Sequence, residues 1–245
     1  MNTPKTIVLM AKAPIAGKVK TRLVPALSGE EAAELYRCFL CDAVERALSV
    51  GDAKVVVACT PADAVDELPR VVRRAVRCIP QPEGDLGTKM RGVFERLFEE
   101  GSEAVVMTGT DLPTLPARFL TAALALLATA PAPVVLGPSH DGGYYLLGLR
   151  RVVPDIFEGI EWSTERVLQQ TCDYLHRQGC LIRCTPPWYD VDNAADLRLL
   201  LAHLSVLRAS RGDSLPRHTI AWLERTGRLP QPKREKAYGT LATSF

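Results

Sequence analysis

Short apolar runs at 6–10 (TIVLM), 53–60 (AKVVVACT), 75–79 (AVRCI), 103–109 (EAVVMTG) and 133–137 (PVVLG) alternate with stretches whose apolar side chains return every three or four residues. The longer period predicts helices over 28–50, stopped by Gly51, over 87–100, stopped by Gly101, and over 116–129. Runs that are apolar at consecutive positions need cover on both faces. They predict strands of a mostly parallel sheet sandwiched between helices. YYLLGL at 144–149 follows VVLG too closely for a crossover helix, so at least one strand is antiparallel. Further on, Ser163 and Thr164 are candidate caps for a helix running to about 178. CLIRC at 180–184 predicts another strand, 194–207 a strongly periodic helix and 219–227 a last one. The chain divides into a main domain over 1–208 and an extension over 209–245, the latter ending in a basic, Gly- and Pro-broken stretch expected to be a mobile tail.

Composition narrows the function classes. With 245 residues, 47% of them hydrophobic, the chain can bury a sizeable core. Lys and Arg number 30 against 28 acids, so neither nucleic acid nor a membrane surface is an expected partner. No apolar run reaches the roughly 18 residues of a membrane span, and the N-terminal residues lack a signal-peptide order, so the expected address is cytoplasmic. Seven cysteines scattered through apolar segments predict reduced, buried thiols. Cys38 and Cys41 form a C-x-x-C inside a predicted helix, where core packing accounts for them better than zinc or redox chemistry.

In an open parallel sheet, ligands bind beyond the carboxyl ends of the strands. The segments there are polar. AKAPIAGKVKTRL at 11–23 carries three lysines and an arginine. It is not a P-loop: Lys12 stands where the first glycine belongs and Val19 where a hydroxyl would meet magnesium. No helix opens at Lys18 either, because Pro25 interrupts and the next start is the capping box Ser28-x-x-Glu31. QPEGDLG follows the third run, TGTDLP the fourth and GPSHDGGYY the fifth, and WYDVDN adds Asp190 and Asp192. Asp111, at a strand end before Pro113, is either a hard-cation ligand or an Asx turn. Asp190 and Asp192 alternate in an extended segment, which points both to one side; either could instead cap the following helix. Gly84, Gly87, Gly142 and Gly143 permit close backbone approach or mark turns, and His140 reads as a surface histidine more readily than a base.

The ordered set MAKAPIAGKVKTRL, QPEGDLGTKM, TGTDLPTL, LGPSHDGGYYLLGL, EWST and DVDNAADL resembles bacterial GT-A-fold proteins grouped with the nucleotide-diphospho-sugar transferases. That group is similar to the 2-phospholactate guanylyltransferases and includes members linked to arsenosugar biosynthesis. The resemblance covers about 6–200 and implies a three-layer, Rossmann-like GT-A fold. It implies that Lys20 and Arg22 grip phosphates, that Ala11 and Lys12 adjoin the nucleotide, and that Gln81, Gly87 and Thr88 border the base. Asp111 and Asp192 would share Mg2+ or Mn2+, and Asp141, Gly142 and Gly143 would line the sugar or acceptor pocket. Lys20, Arg22 and Asp111 would carry catalysis. His140 stands where an acidic or small residue is commoner.

Three functions fit. The leading expectation is metal-dependent glycosyl transfer from a nucleotide sugar to a small acceptor. The alternative is nucleotidyl transfer from an NTP to a phosphorylated small molecule, which four cations in the first loop suit. The third is a non-catalytic nucleotide-binding protein, against which the paired aspartates argue. A homodimer is a further expectation.

Overall fold

The computed structural model describes residues 4–24, 26–131, 133–150, 155–210 and 215–230. Pro25 and the expected mobile tail from 231 lie outside them. In chain order the elements are β1 (Lys5–Lys12), α1 (Gly29–Leu48), β2 (Lys54–Thr60), α2 (Leu68–Val72), β3 (Arg77–Pro80), α3 (Leu86–Glu99), β4 (Ala104–Gly109), α4 (Ala117–Leu127), β5 (Val134–Pro138), β6 (Tyr144–Arg150), α5 (Val167–Arg177), β7 (Ile182–Cys184), α6 (Ala194–Ala209) and α7 (Arg217–Arg225). The strands form one sheet in the order β3-β2-β1-β4-β6-β5-β7. β1 lies between β2 and β4 with both pairings parallel, and Ile7, Val8 and Leu9 are fully buried. That is why its apolar run shows no alternation.

β6 runs antiparallel to both β4 and β5, as the short 139–143 connection requires, and β7 is parallel to β5. Helices α1, α2 and α4 cover one face of the sheet, and α3 and α5 the other. This is the three-layer, mostly parallel α/β architecture with antiparallel strands that the sequence pattern and the motif resemblance anticipate. A third apolar cluster joins the outer face of α1 to α6, α7 and Val19, Leu23 and Leu27 of the first loop. The basic loop is therefore anchored at its far end by apolar side chains, and α7, expected within a C-terminal extension, docks on α1.

Four expectations need correction. α5 begins at Val167, with Arg166 at its cap position, because Ser163 takes a left-handed conformation (φ 66°) and the Thr164 hydroxyl donates backward to the Glu161 carbonyl. Neither residue can then serve as the N-cap. Neither Asp190 nor Asp192 caps α6. Asn193 does, with Asp196 returning to the Asn193 amide in a second capping box. The thiols are not uniformly buried: Cys41 and Cys59 are, whereas Cys184 at the end of β7 is exposed. The single-turn α2 has no counterpart in the expected elements, since a Pro-containing five-residue segment is too short to show a helical period. Among the described residues, no helix is long and apolar enough to cross a membrane.

Candidate active site

A cleft of about 770 Å³ opens at the carboxyl edge of β1 and β4 and is lined by the first loop, Gln81, the 108–112 segment, the β5–β6 connection, residues 162–165 and the 190–192 segment. Small-molecule sites commonly fall at about 300–1,000 Å³. At its centre the Lys20 ammonium donates to Asp111 Oδ2 at 2.8 Å and to Asp192 Oδ1 at 2.5 Å. The Lys20 side chain is only 6% exposed, against 32% for Asp111 and 37% for Asp192. Burial alone would lower the Lys20 pKa, but the two carboxylates outweigh it and hold it well above the ordinary lysine range. In the other direction, burial disfavours the Asp111 carboxylate, and Lys20 overrides this to keep its pKa below the usual value.

Lys20 adopts a left-handed backbone conformation (φ 48°), leading into a single 3-10 turn at Thr21–Leu23. A non-glycine residue there is uncommon and marks a locally strained loop. Buried Leu23 fixes one end of this turn and Val19 the other. The 190–192 segment is held from three sides: the Val191 amide donates to the Asp111 carbonyl at 3.0 Å, Val191 itself is fully buried, and the Asp192 amide donates to Asp196. Asp111, Asp190 and Asp192 thus place a carboxylate oxygen each within 4.8 Å of one another. Burial and the negative charges of Asp192 and Asp111 push the Asp190 carboxyl up to about 6. Hard oxygen donors grouped in this way fit magnesium or manganese, and Lys20 places its ammonium against two of the three acids.

The other expected residues divide. Lys12 and Arg22 are exposed in the cleft wall together with Lys18, and Ala11 lies in its floor. Gln81 lines the cleft, but its side-chain NH2 donates to the carbonyls of Ala11 and Ala58 at 3.0 and 2.7 Å, tying the ends of β1 and β2 together. Only its carbonyl oxygen remains for a ligand. Gly87 and Thr88 are not part of the cleft lining. A Cβ on Gly87 would come within 2.2 Å of the Trp162 indole nitrogen, so this glycine admits a tryptophan against the first turn of α3, and the Thr88 amide is taken by the Asp85 cap. Asp141 and Gly143 line the cleft, with Asp141 Oδ1 accepting from the Gly143 amide. Gly142 (φ 84°) faces away: a Cβ there would meet the Glu165 carbonyl at 2.1 Å. His140 is exposed and is not part of the lining.

Sequence reasoning missed two contributors. The buried Tyr36 hydroxyl accepts from the Lys12 amide at 2.9 Å and shares a hydrogen bond with Thr110 Oγ1, and burial pushes its pKa to about 12. It sits inside the α1 apolar stripe, which hides it as core. Trp162, edge-on to Tyr144, forms an aromatic wall with Leu86 and Met90 alongside. The quoted EWST motif was its signal.

Residues 43–164 match the family described as "Uncharacterized protein conserved in bacteria (DUF2064)". A 3-phospho-D-glycerate guanylyltransferase from Phenylobacterium zucineum is 34% identical over 138 residues, 55% of this chain and 62% of that relative's length. A phosphoenolpyruvate guanylyltransferase from Mycolicibacterium smegmatis is 29% identical over 185 residues, 73% of this chain and 77% of the relative. A structure from Desulfovibrio desulfuricans G20, provisionally named a nucleotide-diphospho-sugar transferase, superposes with a TM-score of 0.81 at 31% identity, covering 92% of this chain and 96% of the other. The chain therefore belongs to the bacterial DUF2064 family, in the GT-A-fold nucleotide-diphospho-sugar transferase group that its ordered motifs resemble.

Proposed function

We propose that the protein is a nucleotidyltransferase that joins the nucleoside monophosphate of an NTP to a phosphorylated small molecule. The observation that carries this is the charge layout: three carboxylates within 4.8 Å of one another, two of them bridged by buried Lys20, share the cleft with a wall bearing Lys12, Lys18 and Arg22. Such a wall suits the tetra-anionic triphosphate, and the names of the two guanylyltransferase relatives favour nucleotidyl over glycosyl transfer. Glycosyl transfer from a nucleotide sugar remains the second reading, favoured by the name given to the Desulfovibrio desulfuricans structure.

On this reading, Lys12, Lys18 and Arg22 bind the β- and γ-phosphates, and the left-handed Lys20 loop orients the triphosphate over the end of β1. Tyr36 fixes the Lys12 amide at the mouth of that loop. An oxygen of the acceptor phosphate forms a bond to the α-phosphorus as the bond to the bridging oxygen of the β-phosphate breaks, releasing pyrophosphate. Positioning and charge neutralisation are what such a transfer needs from a protein. Asp111, Asp190 and Asp192 would hold a magnesium or manganese ion, which when bound supplies neutralisation of the phosphate charge. Lys20, kept charged by its two partners, remains available to follow the phosphates.

The test is the leaving group. The full-length protein is incubated with each NTP or nucleotide sugar, Mg2+ and a panel of phosphorylated acceptors. Pyrophosphate release supports nucleotidyl transfer; a nucleoside diphosphate would replace it with the glycosyl reading.

A further inference from the structure

The cleft has two chemically different halves. Among the described residues, every cation in its lining comes from the first loop: Lys12, Lys18, Lys20 and Arg22. The opposite half, built from the β5–β6 connection and 162–165, contributes Tyr144 and Trp162 as aromatic walls with Asp141 and Glu165 at the rim. Met90 and Met107, both almost fully buried, close its floor. Ser163 adds a hydroxyl. The Gly142 carbonyl accepts from the Leu168 amide, and Gly142 leaves no room for a side chain against Glu165, so these two rims are fixed to each other.

We infer that this half receives the body of an acceptor that bears no carboxylate: a phosphate monoester of an uncharged alcohol, whose phosphate points toward the first loop. The inference rests on the nucleotidyl-transfer reading. It departs from the substrates named for the two relatives, since 3-phospho-D-glycerate and phosphoenolpyruvate each carry a carboxylate beside the phosphate. A carboxylate in this half would lie between like charges and apolar walls with no cation among the described side chains of that half to compensate it, which disfavours binding on both counts. Hydroxyls, by contrast, can donate to Asp141 and Glu165 and exchange hydrogen bonds with Ser163, while C–H surfaces pack on Trp162 and Tyr144. Discrimination here is by repulsion of the wrong ligand as much as by attraction of the right one.

Glycerol 3-phosphate and 3-phospho-D-glycerate make the comparison directly, because the carboxylate of one takes the place of a hydroxymethyl group in the other. Their affinities are measured by calorimetry on the full-length protein with Mg2+ and guanosine 5′-(α,β-methylene)triphosphate, which cannot be turned over. Glycerol 3-phosphate is expected to bind at least about tenfold tighter. Glu165→Lys, a substitution at an exposed side chain, is expected to narrow or reverse the ratio. Equal affinities, tighter binding of the phosphoglycerate, no binding of either compound, or a ratio unmoved by Glu165→Lys would each overturn the inference. Pyrophosphate release from GTP is followed separately. Its absence with every acceptor sinks the nucleotidyl-transfer reading, whereas the binding ratio alone decides the acceptor class.

Discussion

Asp42, Glu45 and His218, between α1 and α7, bring potential ligand atoms within the same 4.8 Å as Asp111, Asp190 and Asp192 at the cleft. What differs is how many lone pairs remain. Asp42 is 5% exposed and accepts from the His218 and Thr219 amides at 2.9 Å each and from the Thr219 hydroxyl at 2.6 Å. α7 starts at a proline that offers no capping side chain, so Asp42 acts as its N-cap from another helix. Glu45 is held by Arg74 and lies 3.3 Å from His218. Groups of the protein itself already engage all three members of that cluster. At the cleft, one lysine bridges two of three acids and the remaining oxygens face an open cavity. A group of acids thus reads as a clip or as a site according to whether the chain has already used its acceptors.

The largest expected effect separates the two on activity. Asp111→Asn or Asp192→Asn should lower turnover by about a hundredfold or more, given that every 1.36 kcal/mol of lost transition-state stabilisation is tenfold. The melting temperature should stay close to wild type, and a parallel fall in stability would erase the distinction. Next in size is the reverse case. Asp42→Ala leaves two amides and a hydroxyl unpaired in a buried place and should cost about 2–4 kcal/mol in urea unfolding, with activity per folded molecule retained.

A smaller effect tests the cross-link. Lys20→Met removes the counter-charge from the acids at the cleft, so Mg2+ without nucleotide should stabilise this variant more than wild type. The shift should be about 1.4 kcal/mol at ten times the dissociation constant. No added Mg2+ stabilisation would mean that the three acids do not act together. The smallest effect belongs to an acid that is neither clip nor site. Glu100 bridges Arg77 and Arg96 near the surface, and its hydrogen bond to Arg77 holds its pKa near 2, below the ordinary 4.5. Because the folded pKa is depressed, its contribution is present above pH 4.5 and is lost as pH falls toward 2. Glu100→Gln should cost about 0.5 kcal/mol or less near neutrality, and less still in acid.

Strand positions, the antiparallel excursion and the polar ends of the strands were legible because each rests on a local pattern of consecutive apolar residues or on loop length. Asp111 and Asp192 were legible as a pair through motif order, and the alternation of YDVDN correctly put Asp190 and Asp192 on one side. Contacts between distant segments were not. Gly87 reads as a turn glycine or one that lets a ligand approach, yet the atom that excludes a Cβ there belongs to Trp162. Asn193-x-x-Asp196 is a local capping signal that the two preceding aspartates obscured. That the Gln81 NH2 braces two strand ends could not be read either, because such a contact exists only once the strands are paired.

The bond from the Val191 amide to the Asp111 carbonyl joins the end of β4 to a segment that follows every strand of the sheet. Chains are synthesised from the N-terminus at about 5–20 residues per second, and domains fold as their parts become available. For most of that interval a nascent chain already has β1, β4 and its basic loop, but not the acids at 190 and 192. Its lysine has only one of its two partners. Synthesis therefore supplies the last two acids of the cluster only after every strand of the sheet, and a chain truncated before 190 would lack Asp190 and Asp192.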